Sequence, residues 1–156
     1  GPNVRLYWDQ AVYKKPGTRD EFPWHQDNGY TFIEPQAYLT CWVALTDTDE
    51  TNGCPCVLPG LHRHGTLHHD TTDLGHEIGL DSTDSLSIPL KAGSIAIFSS
   101  LTPHRTGPNL SDKVRKSYIL QYAPEGARRL ISHTLTEEVN DESRQFLILK
   151  DGLAVD

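Results

Sequence analysis

Apolar and polar residues along this chain follow the two-residue period of β-strands far more than the 3.6-residue period of helices. Val4 to Tyr13 is rich in β-branched and aromatic residues and predicts a strand, ended by Lys14-Lys15-Pro16-Gly17. Pro23 to Asp27 returns to extended structure, because a residue beside proline is biased toward the β region. Tyr30 to Ile33 is a short apolar piece closed by Pro35. Ala37 to Leu45 carries the strongest alternation and is bounded by Pro35 and by Thr46-Asp47-Thr48-Asp49-Glu50. Asn52-Gly53 predicts a tight turn, Cys56 to Leu58 a short strand, and Pro59-Gly60 another turn. Leu86 to Leu90, a buried Ser94 to Phe98 and an alternating Arg115 to Tyr122 complete the strands. The charged stretch Glu137 to Arg144 predicts a short helix, and Phe146 to Leu149 is a last apolar run.

One segment breaks the pattern. Leu61 to Asp84 is polar and aperiodic and holds five of the eight histidines, His62, His64, His68, His69 and His76. Long excursions of this kind in compact domains are functional or mobile. The remainder, many short strands punctuated by Gly, Pro and Asn with little helix, predicts an all-β sandwich or double-sheet jelly roll.

Composition narrows the picture. A chain of 156 residues fits one domain, 1–156, and 37% hydrophobic residues supply a real core. Fourteen basic against 21 acidic residues leave a net charge of −7, which argues against nucleic acid or an anionic membrane as partner. No apolar run approaches the roughly 18 residues of a membrane span and no signal peptide opens the chain, so the expected location is cytoplasmic. Cys41, Cys54 and Cys56 read as reduced thiols, Cys54-Pro55-Cys56 being too tight for a zinc knuckle. Gly1 leads almost at once into strand-like sequence and the chain contains no Met, so it reads as part of a longer protein.

The chemistry centres on Pro23-Trp24-His25-Gln26-Asp27-Asn28. On an extended strand, residues two apart share a face, so His25 and Asp27 present one imidazole and one carboxylate together. His104, just past a strand, is the best third ligand. Two His and one carboxylate with open positions is the arrangement of non-haem Fe(II) oxygenases. Arg115 lies eleven residues after His104 across a turn; a hairpin would set the two side by side, and guanidinium binds a carboxylate through two parallel hydrogen bonds. Thr106 and Ser117 add hydroxyls, and Lys14 is a second carboxylate partner.

Taken in order from about Gly1 to about Pro124, several motifs resemble the phytanoyl-CoA dioxygenase (PhyH) family of Fe(II)- and 2-oxoglutarate-dependent oxygenases. They are His25-Gln26-Asp27, Asn52-Gly53 with Leu58-Pro59-Gly60-Leu61-His62-Arg63, Lys91-Ala92-Gly93-Ser94, and His104-Arg105-Thr106-Gly107-Pro108-Asn109 with Arg115. The resemblance implies a double-stranded β-helix core, cupin-like and with few helices, and the absence here of the mostly helical N-terminal part that members carry. It implies that His25, Asp27 and His104 ligate Fe(II) and carry catalysis. By the same likeness Arg115 would pair with the distal carboxylate of 2-oxoglutarate, Thr106 would hydrogen-bond to it, and Lys14 and Trp42 would line the cosubstrate pocket. The implied reaction hydroxylates an unactivated C–H bond of a small molecule, lipid or natural-product intermediate with dioxygen, releasing succinate and CO2. Halogenases of this kind replace the carboxylate ligand with a small residue, so Asp27 argues against halogenation.

Substrate selection is expected at Tyr7, Gln10, Trp24, Asn28, Tyr30 and the His-rich excursion, which reads as a mobile lid rather than a second metal site. Two other readings stay open: a non-catalytic jelly-roll binding protein, and a cupin-type metalloenzyme that does not use 2-oxoglutarate. In the latter, Arg115 lacks a purpose.

Overall fold

The computed structural model describes residues 1–80 and 84–155 and is built almost wholly of antiparallel strands. In chain order these are β1 (Val4–Lys14), β2 (Phe22–His25), β3 (Ile33–Glu34), β4 (Leu39–Ala44), β5 (Pro55–Val57), β6 (Asp70–Thr72), β7 (Gly75–Glu77) and β8 (Leu86–Ser87). They continue with β9 (Ile95–Ser99), β10 (His104–Thr106), β11 (Arg115–Pro124), β12 (Arg128–Leu130), β13 (Thr136–Glu138), β14 (Leu147–Lys150) and β15 (Leu153–Ala154). One helical turn, α1 (Asp27–Tyr30), follows β2, and a 3₁₀ turn covers Leu61–His64.

Six strands form the main sheet in the order β15-β14-β1-β11-β4-β9, and four form a second, β2-β10-β5-β8. Inward side chains of both line one cavity: Val12 and Lys14 of β1, Thr40 and Trp42 of β4, Arg115 and Ile119 of β11, His25 of β2, and His104 and Thr106 of β10. Two antiparallel sheets facing across a shared interior give the predicted jelly-roll architecture. Strand alternation sets the site: in β11, Arg115, Ser117, Ile119, Gln121 and Ala123 are buried while the residues between them are not. Beneath the main sheet, Trp42, Ala44, Ala96 and Ile119 form one core cluster; Tyr7, Ile33, Tyr38, Ala123, Ala127 and Val139 form another.

Several expectations need correction. β2 ends at His25, and Asp27 opens α1 rather than extending the strand. Arg115 is not in a hairpin with His104; β10 and β11 belong to different sheets, and residues 107–114 cross between them. Ser94 to Phe98 is not buried as a whole: β9 is the edge of the main sheet, with Ala96 inside but Ile95 and Ile97 51% and 63% exposed. Glu137 to Arg144 forms no helix, because cross-strand pairing of Arg129 with Glu137 draws residues 136–138 into β13. The long excursion is not irregular throughout; it contains the 3₁₀ turn and the β6–β7 hairpin, while its residues 81–83 lie outside the described residues. Among the described residues no helix is long and apolar enough to cross a membrane.

Candidate metal and cosubstrate site

Gln26, still extended, carries the alternation of β2 one residue past its end, so the His25 and Asp27 side chains converge although the chain turns at Asp27. β2 and β10 pair with His25 directly opposite His104. The Nε2 atoms of His25 and His104 lie 3.8 and 3.7 Å from Asp27 Oδ1, and one donor atom from each of the three residues falls within 4.8 Å of the others. Among the described residues this is the one group of three or more His, Cys, Asp or Glu donors able to hold a metal ion.

The surroundings fit that use. His25 Nδ1 is 2.8 Å from the Pro23 carbonyl and His104 Nδ1 3.0 Å from the Thr102 carbonyl. A carbonyl only accepts, so each Nδ1 carries the proton and each Nε2 keeps a free lone pair toward the shared space. Burial, with His104 alongside, holds the His25 pKa well below its ordinary value, which keeps that ring neutral and able to ligate. Asp27 Oδ2 accepts a hydrogen bond from Thr40 Oγ1, leaving Oδ1 toward the histidines.

A second polar group shares this space. Arg115 is 1% exposed, donates from one terminal nitrogen to Ser117 Oγ at 2.8 Å, and lies over the Trp42 ring at 5.3 Å. Its Nε is buried with no hydrogen-bond partner, and burial brings its pKa down to about 10. Lys14 stands directly opposite Arg115 in the β1–β11 register. Its amine donates to the Gly107 carbonyl at 2.5 Å and reaches Thr106 Oγ1 at 3.4 Å. Burial and the neighbouring guanidinium bring its pKa down to about 8. Like charges face to face are unfavourable unless an anion comes between them.

Lys14, Thr106, Trp42 and Arg115 therefore line the same cavity, about 180 Å³, as His25, Asp27 and His104. A larger cavity, about 840 Å³, opens on the other side of His25 and Asp27. Tyr7, Gln10 and Tyr30 line it. Trp24 and Asn28 line neither cavity: Trp24 is buried beneath Arg105, and Asn28 bonds to the Ile33 amide and the Thr66 hydroxyl. Sequence reading missed Thr40 and Gln121, whose inward register beside Trp42 and Ile119 was the available signal. It missed as well the far wall of the larger cavity, which Arg129, residues 137–141, Arg144 and Gln145 supply.

The family model for phytanoyl-CoA dioxygenase (PhyH) matches residues 2–117. A phytanoyl-CoA dioxygenase of Arabidopsis thaliana is 32% identical over 115 residues, covering 70% of this chain and 41% of the relative. Among solved structures, the non-heme monooxygenase ThoJ in its apo form superposes with a TM-score of 0.79 at 25% identity, over 96% of this chain and 54% of its own. EvdO2 from Micromonospora carbonacea var. aurantiaca, complexed with 2-oxoglutarate, superposes with a TM-score of 0.72 at 28% identity, over 88% of this chain and 55% of its own. The chain thus spans about half the length of the proteins it matches. A sheet pair that brings two histidines and an aspartate together beside a buried arginine, and a family match over most of its length, place this chain in the phytanoyl-CoA dioxygenase family.

Proposed function

We propose that residues 1–156 form one domain of an Fe(II)- and 2-oxoglutarate-dependent dioxygenase that hydroxylates an unactivated C–H bond of a small molecule. The observation that carries this reading is Arg115: a buried guanidinium with an orphaned Nε, in one small cavity with the three metal donors. A metalloprotein without a carboxylate-bearing cosubstrate has no use for that charge there.

In this reading His25 Nε2, Asp27 Oδ1 and His104 Nε2 hold the iron. Arg115 receives the distal carboxylate of 2-oxoglutarate, helped by Thr106 and by the charge of Lys14. Iron, dioxygen and 2-oxoglutarate together supply the oxidising power that turns C–H into C–OH, with 2-oxoglutarate leaving as succinate and CO2. Thr40 fixes the Asp27 carboxylate, while Trp42, Val12 and Ile119 exclude water from the inner cavity. The larger cavity receives the substrate against the His25 and Asp27 side. Its volume suits a molecule of drug-like size. Its two arginines are engaged, Arg129 with Glu137 at 2.5 Å and Arg144 over the Trp8 ring at 4.7 Å. With Tyr7, Tyr30 and Phe22 as walls and Glu138 and Asp141 beside them, that favours a ring-bearing substrate without anionic groups over an acyl-CoA. Three free cysteines suit a reducing compartment, so we place the reaction in the cytoplasm.

The test is anaerobic addition of Fe(II) and 2-oxoglutarate, which should give a weak visible charge-transfer band. Iron uptake without that band would overturn the cosubstrate assignment. Asp27→Ala should abolish succinate formation, and wild-type turnover in that variant would overturn the ligand set.

A further inference from the structure

Gln26 stands between two of the metal donors and faces away from them. It is completely buried and every polar atom of its side chain is used. Its amide nitrogen donates to the Leu101 carbonyl at 2.6 Å and to the Gly65 carbonyl at 2.9 Å, and its amide oxygen accepts from the Leu67 N–H at 2.7 Å. Its backbone N–H donates to His69 Nε2 at 2.9 Å. His69 is set for this role, because its Nδ1 is 2.9 Å from the Leu67 carbonyl, which places the proton on Nδ1 and the lone pair on Nε2. The imidazole lies flat on α1: a Cβ built on Gly29 would fall 2.1–2.4 Å from three of its ring atoms.

These bonds converge on one hinge. Leu101 precedes Thr102, whose carbonyl orients the His104 ring, and the neighbouring Ser100 carbonyl accepts the Asn28 N–H at 3.1 Å. Gln26 thus ties the peptide joining His25 to Asp27 to the turn that aims His104. Rotation about its backbone would swing the Asp27 carboxylate away from the two Nε2 atoms. Residues 65–69 of the His-rich segment are pinned against the hinge rather than free of it.

We propose that His69 and Gln26 are positioning residues for the metal centre, His69 clamping the Gln26 peptide so that the His25, Asp27 and His104 donors keep one spacing. This rests on the metal-site reading above. Groups that orient metal ligands from behind typically change metal affinity by about 10–100-fold when removed.

The test uses the full chain with Co(II) as an oxygen-stable probe, read by its visible absorption, alongside thermal unfolding of the metal-free proteins. His69→Ala should lower cobalt affinity at least tenfold and alter the cobalt spectrum, with little change in Tm, since His69 is partly exposed. His69→Gln, which restores an acceptor at the reach of Nε2, should recover most of the affinity. His68→Ala, at an exposed neighbour, should behave as wild type. Wild-type affinity and spectrum in His69→Ala would overturn the proposal, as would loss of affinity that His69→Gln does not recover. A wild-type protein that takes up no cobalt would overturn the metal-site reading itself, and this inference with it.

Discussion

A guanidinium buried as deeply as that of Arg115 costs free energy unless its N–H groups and its charge are met. Ser117 and the Trp42 ring meet part of this, and the Nε stays without a partner. Arg115→Met therefore separates stability from binding. Removing an uncompensated buried charge for a side chain of similar volume should leave the Tm of the metal-free protein equal or higher. The apparent KM for 2-oxoglutarate should rise at least tenfold, since a hydrogen bond to a charged group contributes about 1.5–3 kcal/mol. Arg115→Lys should not restore it, because an ammonium lacks the planar fork. Succinate assays and thermal unfolding check both halves; a lower Tm with unchanged KM would mean a purely structural arginine. That His25, Asp27, His104 and Arg115 share one cavity was anticipated in the chain, because few residue types can ligate a metal or clasp a carboxylate. Thr40 was not, since a threonine in a strand looks alike whether or not its hydroxyl holds a carboxylate.

Strands and turns were legible to a similar depth. Alternation predicted β4 and β11, and β-branched and aromatic richness predicted β1; these three supply the main-sheet wall of the inner cavity. Neither signal revealed which strands meet. Gly53 is an example: Asn52-Gly53 marked a turn, and the turn is present at a φ of 82°. Only the folded chain brings Gly53 against the segment after β10, where an added Cβ would sit 2.4 Å from the Gly107 carbonyl oxygen. That same oxygen accepts the Lys14 amine. Gly53→Ala should cost about 1–3 kcal/mol from backbone strain alone. At about 2–4 °C per kcal/mol it should lower Tm by several degrees, measured by thermal unfolding. A loss no greater than that would show that the 106–108 segment yields freely, and an unchanged Tm would show that the turn itself gives up its positive φ. The misjudged helix near Glu137 has the same origin: Glu137, Glu138, Asp141 and Glu142 recur at helical spacing, but Glu137 pairs with Arg129 across two strands instead.

Across the whole molecule, the cluster of Tyr7, Ile33, Tyr38, Ala123, Ala127 and Val139 joins the main sheet to the β13-β12-β3 sheet and to the wall of the larger cavity. Ile33 is fully buried within it. Ile33→Ala should cost about 2–5 kcal/mol. Amide exchange should quicken over residues 136–145 in that variant, with no comparable change in β10; uniform quickening would mean that the wall has no separate anchor. The sequence by itself determined the strand-rich class and the family, and it singled out the four residues on which the proposed chemistry rests. These rest on periodicity and residue type, which are local. Tertiary structure alone decided that Arg115 faces the cavity of the three donors from the opposite sheet, that Trp24 and Asn28 turn away, and that His69 locks the peptide between His25 and Asp27. The longest of these contacts, such as Gln26 with His69 43 positions on, are set by which sheet a strand joins and where the long segment folds back, and spacing along the chain does not carry that information.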